Sequence, residues 1–171
     1  MLKNLPDSIC ELKDLVHIDL EDNRISHLPE DFGALAGLKE LILDKNEISF
    51  LPLSFGHLRS LTWVDLCSNL IEELPENLDQ LVSLEILNLS KNFLETLPDS
   101  IGMLKRLQIL KVDQNKLLDL PSAISGCTEL TELVLSENLL LRIPDEVTKP
   151  WFQICDLHTL NWPITIPECV M

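Results

Sequence analysis

The chain is short of basic residues: thirteen lysines and arginines face twenty-eight aspartates and glutamates, a formal net charge of −15. Contact with phosphates needs a basic stripe, so nucleic acid is excluded as a partner class. The acidity suits a basic protein partner, or serves solubility alone. No run of about 18 apolar residues occurs, so no transmembrane segment is expected. Cys10, Cys67, Cys127, Cys155 and Cys169 form neither a C-x-x-C pair nor the clusters that staple secreted domains. A reduced, cytosolic setting follows as the expectation, with Cys127 a small buried hydrophobe. Asn88-Leu89-Ser90 matches a glycosylation acceptor, but Asn88 falls on an inner strand and no signal peptide precedes it, so the match reads as chance.

Catalytic groupings are missing as well. His17, His27, His57 and His158 are scattered, and none shares a face with a nucleophile and an orienting acid. Asp19, Asp44 and Asp65 can approach one another, yet a solvated acidic face explains them better than a metal site. There is no phosphate-binding glycine loop; Gly33, Gly56 and Gly102 share one register position and read as turn residues. No enzyme, cofactor or metal is expected.

What the chain does have is a period. Asparagine recurs at Asn23, Asn46, Asn69, Asn92, Asn115 and Asn138, always 23 residues apart, each closing a segment L-x-x-L-x-x-L-x-L-x-x-N. In the first such unit Leu12, Leu15, Ile18 and Leu20 point inward, Asn23 turns the chain, Ile25 and Leu28 refill the core, and Pro29 opens the return. Six units follow without insertion, at 12–34, 35–57, 58–80, 81–103, 104–126 and 127–149. This pattern resembles leucine-rich repeats, whose units each add one short strand and one return segment to a curved solenoid. The expected fold is an α/β solenoid, a horseshoe with a parallel concave β-sheet and short helical or 3-10 turns on the convex side.

Each asparagine stands where backbone groups turn into the core, out of reach of water. An orphaned buried polar group costs about 1–3 kcal/mol, and a carboxamide both donates and accepts, so the six amides are expected to form a structural ladder. Pro29, Pro52, Pro75, Pro98, Pro121 and Pro144 follow six residues after each asparagine. Proline has no N–H and a fixed φ, which bars the segment from the sheet and favours a short helical turn.

Both ends depart from the frame. Leu2, Leu5, Pro6 and Ile9 are in register with Ile25, Leu28, Pro29 and Phe32, so residues 1–11 read as a partial repeat, and the chain as a fragment. From 150 to 171 the grid puts Pro150, Gln153, Asp156 and His158 at the four core positions. That segment reads either as a degenerate capping repeat, with Trp151, Phe152 and Trp162 over the end, or as an unrelated tail of low order past Thr148.

Function is then expected on the concave sheet, where residues alternate between core and solvent. One outward column holds His17, Glu40, Trp63, Ile86, Ile109 and Glu132; the next holds Asp19, Ile42, Asp65, Asn88, Lys111 and Val134; the third holds Glu21, Asp44, Cys67, Ser90, Asp113 and Ser136. Trp63, Ile86 and Ile109 make an apolar stripe that Ile42 and Val134 extend diagonally, with Asp44, Asp65 and Lys111 at its rim. Apolar neighbours inside a charged rim are the composition of a protein interface, although isolated apolar residues on a surface need no such reason.

The run LQILKVDQNKLLDLPSAISGCTELTELVLSENLLLRIPDEV, from Leu107 to Val147, resembles the later repeats of the LAP family, the group containing Scribble and Erbin; KVDQN at 111–115 and LSENLL at 135–140 are its most specific parts. The resemblance implies a cytoplasmic, non-catalytic scaffold for cell polarity at the basolateral membrane and cell junctions, held peripherally to the membrane through partners. Family members carry acylated cysteines before the first repeat, whereas Cys10 lies inside the partial repeat, so anchoring is not transferred to it. Two alternatives stay open. One is a Ras-pathway scaffold of similar L-P-x-x-I repeats, binding a small GTPase or phosphatase. The other is an extracellular recognition receptor, which would require secretion and a glycan at Asn88.

Overall fold

In the computed structural model, which describes residues 1–144 and the strand Gln153–Cys155, each repeat contributes a strand of three residues. These are β1 (His17–Asp19), β2 (Glu40–Ile42), β3 (Trp63–Asp65), β4 (Ile86–Asn88), β5 (Ile109–Lys111), β6 (Glu132–Val134) and β7 (Gln153–Cys155). They form one parallel sheet in sequence order. The middle residue of the first six, Ile18, Leu41, Val64, Leu87, Leu110 and Leu133, is buried, while its two neighbours face outward. A parallel sheet needs a crossover between strands, and the constant repeat length makes every crossover alike.

From β1 to β6 each residue pairs with the residue 23 positions on, His17 with Glu40 and so to Ile109 with Glu132. The last step is different. Glu132 pairs with Gln153 and Leu133 with Ile154, a step of 21. The 23-residue grid, which set Gln153 and Asp156 on core positions, is corrected here by two residues. A shift of two keeps the alternation of faces and brings an isoleucine instead of an aspartate into register with Leu133. An unpaired carboxylate at an inward register position would carry a desolvation cost of several kcal/mol. The proposed covering of the end by Trp151, Phe152 and Trp162 lies outside the described residues.

The returns are 3-10 helical turns. Pro6, Pro52, Pro98 and Pro121 cap those at Asp7–Glu11, Leu53–His57, Asp99–Met103 and Ser122–Gly126, with φ between −71° and −65°, the value the ring imposes. After Pro29 and Pro75 the turn starts later, at Phe32 and Leu78, behind Asp31 and Asn77.

Gly33, Gly56 and Gly102 lie in the 3-10 turns, as turn residues sharing one register position, and no glycine has positive φ. They are close-approach points: a Cβ on Gly33 would lie 1.9 Å from the carbonyl oxygen of Ser54, and one on Gly102 1.9 Å from that of Ala123. The left-handed residues are instead Asp22, Lys45, Ser68, Lys91, Gln114 and Glu137, with φ of 52–57°, each directly before the ladder asparagine.

Among the described residues the core runs unbroken from turn to turn, each adding apolar side chains, mostly leucine and isoleucine with Val64, Phe32 and Phe55, from the strand, the segment after the asparagine and the return. Fully burying one such side chain contributes about 1.5–3 kcal/mol, and every one is covered by its neighbouring repeat. At the first repeat only the half turn before it provides cover, so Leu12, expected inward, is 55% exposed, and Leu15 and Leu20 are half-buried.

Candidate protein-binding surface

The sheet face is held in place by the asparagines. Asn46 Oδ1 accepts the N–H of Ile25 at 2.9 Å, while its Nδ2 donates to the carbonyls of Leu20, Leu43 and Asp44 at 3.0, 3.0 and 3.3 Å. Asn69, Asn92, Asn115 and Asn138 repeat this set one turn on. Asn23 receives the N–H of Leu2 at 2.7 Å. The amides bond to backbone of their own and the preceding repeat, not to each other, and thereby fix each strand's exit and its distance from the last strand.

This framework puts Trp63, Ile86 and Ile109 in register on three adjacent strands. Trp63 is 37% exposed, and Ile86 and Ile109 are half-buried. Ile42 on β2 and Val134 on β6, both half-buried, lie diagonally beyond the two ends of the stripe. Adjacent strands stand about 4.8 Å apart, so the three-residue stripe spans about 10 Å, a length that one or two side chains of a ligand fill.

The polar residues around it are engaged within the sheet. Asp65 accepts the Cys67 N–H at 2.9 Å and the Asn88 amide at 3.0 Å. Asp44 meets Lys45 at 3.4 Å, Lys111 meets Glu132 at 3.5 Å, and His17 Nδ1 lies 2.8 Å from Glu40 Oε2. Asp44 and the Glu21 and Asp22 carboxylates together raise the pKa of Lys45, the bond to Asp44 being the main cause. Ser90, placed toward solvent by strand alternation, is buried and donates its hydroxyl to Asp113; a short side chain beside a longer acceptor on the next strand is covered by it. Surface pairs of this kind contribute about 0–1 kcal/mol each, so an incoming ligand exchanges them at little cost.

Asp19 accepts the Glu21 N–H at 3.2 Å, and among the described residues no three His, Cys, Asp or Glu side chains converge as a metal site. Among the same residues no helix is long and apolar enough to cross a membrane. A cleft of about 720 Å³ opens away from the sheet, lined by Leu97, Leu120, Pro121 and Ile143 and by the Asp119–Arg142 pair, 2.8 Å apart. The guanidinium holds the Asp119 carboxyl below the usual carboxylate range.

Cys127 occupies a core leucine position and is 2% exposed, its thiol donating to the Ile101 carbonyl at 3.1 Å. Burial pushes its pKa from 9.0 up to about 11. An unfolded chain therefore loses this proton first, and stability that is full below pH 9 is lost as the pH rises through 11, by ~3 kcal/mol at most. Urea titrations at pH 8 and pH 10.5 should show this loss in the native chain and a smaller one in Cys127→Ala.

A second exposed surface escaped the sequence reading. After each ladder asparagine the chain runs extended for three residues, in the pattern exposed, buried, exposed: Leu70-Ile71-Glu72, Phe93-Leu94-Glu95, Lys116-Leu117-Leu118 and Leu139-Leu140-Leu141. These segments stack through backbone bonds, Phe93 N–H to the Ile71 carbonyl at 2.9 Å and Leu141 N–H to that of Leu118 at 3.1 Å. The signal was present as leucines one residue off the core register.

Models of the leucine rich repeat family match residues 14–35 and the overlapping stretches 36–94, 59–117 and 82–140. No curated protein matches. Among solved structures, a leucine-rich repeat protein of Leptospira interrogans is 32% identical with a TM-score of 0.86, over 91% of this chain and 40% of that one. The ectodomain of the membrane receptor kinase GASSHO1/SCHENGEN3 from Arabidopsis thaliana, in complex with CASPARIAN STRIP INTEGRITY FACTOR 2, is 29% identical with a TM-score of 0.77, over 86% of this chain and 19% of that one. The plant peptide hormone receptor RGFR1, in complex with RGF2, is 31% identical with a TM-score of 0.74, over 85% and 24%. The chain thus spans less than half the length of each of these proteins.

Proposed function

The chain belongs to the leucine-rich repeat family, and from that premise we propose that it is a non-catalytic protein-binding module whose contact core is Trp63, Ile86 and Ile109 on the concave sheet. The observation that carries this reading is a partly exposed tryptophan in register with two isoleucines, inside polar residues bound only by weak surface pairs. Tryptophan at the centre of a desolvated patch is the side chain whose truncation most often costs a complex 2 kcal/mol or more. The similar ectodomain in complex with CASPARIAN STRIP INTEGRITY FACTOR 2 and the peptide hormone receptor in complex with RGF2 support a protein or peptide ligand.

The finer reading is a scaffold of the LAP type, cytoplasmic at the cell cortex and basolateral membrane and acting in polarity and junction organisation. KVDQN at 111–115 and LSENLL at 135–140 support it. The receptor kinase ectodomain and the peptide hormone receptor among the similar structures favour a second reading, an extracellular recognition receptor. In both readings residues 1–11 are a partial repeat and 150–171 either a degenerate capping repeat or an unrelated tail, flanking the six full repeats at 12–149.

The test is affinity capture from lysate with the native chain and with Trp63→Ala/Ile86→Ala/Ile109→Ala, both first shown folded by circular dichroism. Partners lost only from the variant, with affinity down about 30-fold or more, support the concave stripe. Equal recovery from both chains rejects it. Polarity proteins among the lost partners support the LAP-type reading, and a small GTPase in their place redirects it to a Ras-pathway scaffold.

A further inference from the structure

Among the described residues a run of exposed apolar side chains lies off the sheet. Leu70, Phe93 and Leu139 stand in the column directly after the ladder asparagines, and Leu118 and Leu141 in the column two residues on; all five are 40 to 75% exposed. The two columns are one surface, because the segments carrying them are joined by backbone hydrogen bonds of 2.9–3.3 Å between successive turns. Lys116 fills the gap between Phe93 and Leu139, its Nζ 4.7 Å from the centre of the Phe93 ring. Monomers seldom leave such a run of large apolar side chains uncovered without a use for it.

Charge tells what covers it. Glu47 sits in the first column beside Leu70, and Glu72 and Glu95 sit in the second, two residues from Leu70 and Phe93. All three carboxylates are exposed, and no ion pair or side-chain hydrogen bond among the described residues engages them. On the sheet, by contrast, Asp44, Asp65, Asp113 and Glu132 are taken up by Lys45, Asn88, Ser90 and Lys111. The flank therefore joins apolar anchors to unspent negative charge, the complement of a segment carrying leucine-like and basic side chains.

Spacing selects the shape of that segment. Successive turns of the solenoid are about 4.8 Å apart, close to the 5.4 Å pitch of an α-helix and well short of the ~6.7 Å between same-face residues of a strand. A helix lying along the solenoid axis sets one apolar residue per turn against Leu70, Phe93, the Lys116 stem and Leu139 in succession. We propose that this flank is a second docking surface, distinct from the concave sheet, for a basic amphipathic helix of a partner protein.

The probe is a peptide of about 20 residues, leucines on one helical face and lysines on the other, labelled for fluorescence anisotropy, beside the same peptide with glutamates for lysines. It is titrated with the native chain, with Phe93→Glu/Leu118→Glu, with Leu139→Glu/Leu141→Glu and with the concave triple alanine variant, each checked for its fold. The lysine peptide is expected to bind the native chain and the concave variant alike and each flank variant about tenfold more weakly or worse, with the glutamate peptide not binding. Binding that survives both flank substitutions, loss confined to the concave variant, equal binding of the two peptides, or no binding of the lysine peptide would overturn the proposal. So would native self-association that either flank variant abolishes, which would assign the surface to a second copy of the chain.

Discussion

Replacing Asn92 by alanine should lower the unfolding free energy by about 3 kcal/mol, read as a shift of the urea midpoint at constant slope. Asn92 is 5% exposed; its Oδ1 accepts the Ile71 N–H at 3.0 Å, and its Nδ2 serves the carbonyls of Leu66, Leu89 and Ser90 at 2.9, 3.0 and 3.2 Å. Alanine leaves the Ile71 N–H unpaired where water has no access, at about 1–3 kcal/mol, and takes one of two donors from each of the Leu66, Leu89 and Ser90 carbonyls. Asn92→Asp should be no better. It keeps an acceptor for Ile71 but turns a carboxylate toward three carbonyl oxygens. Asn23→Ala should cost less than half as much, because Asn23 is only half-buried and its bond to Leu2 is exposed. Equal losses at 92 and 23 would mean that the ladder's worth does not come from burial.

Gly102→Ala should be comparably damaging, about 3 kcal/mol, and opposite in sign to what helix propensity alone implies. Within a 3-10 turn of ordinary negative φ, a glycine-to-alanine change normally stabilises by up to about 1 kcal/mol through the unfolded chain. Here the added methyl would lie 1.9 Å from the Ala123 oxygen and 2.6 Å from its carbon. Both are backbone atoms of the next return, so relief requires separating two repeats along the solenoid instead of turning a side chain. Gly37→Ala is the comparison, since its methyl would sit 3.1 Å from the Lys13 carbonyl oxygen and a small adjustment admits it. A stability change at Gly102 no larger than that at Gly37 would show that the returns are not in close contact.

The repeat frame was legible because it is over-determined: the leucines around each strand, an asparagine and a proline recur at one spacing with no insertion, and any other register exposes the leucines. Strand pairing, inward residues and the position of Trp63 beside Ile86 and Ile109 follow from that spacing alone. Where the period fails, so does the reading. β7 sits two residues early because Ile154 and Asp156 share parity, and only the cost of placing a carboxylate at an inward position distinguishes them. The left-handed residues Asp22, Lys45, Ser68, Lys91, Gln114 and Glu137 have no common side chain to announce them. The glycines announced the turns, but a sequence does not say whether glycine is needed there for its φ or for its missing Cβ, and here it is the missing Cβ. The flank was hidden for a related reason: Leu70, Leu118 and Leu139 are the same residue type as the core leucines and differ only in falling one position off the core register.

The ladder also has a direction in time. Each asparagine gives its carbonyl oxygen to an N–H 21 residues earlier in the chain, as Asn46 does for Ile25 and Asn138 for Leu117. During synthesis, which delivers the N-terminus first, a turn is therefore finished only when the following asparagine has been made, and the leading edge of the growing solenoid always holds one open amide. The same direction makes loss from the two ends unequal: a chain cut after residue 137 orphans the N–H of the fully buried Leu117, while one lacking its first residues frees the oxygen of Asn23 and the N–H groups of Arg24 and Ser26, residues that are exposed or half-buried.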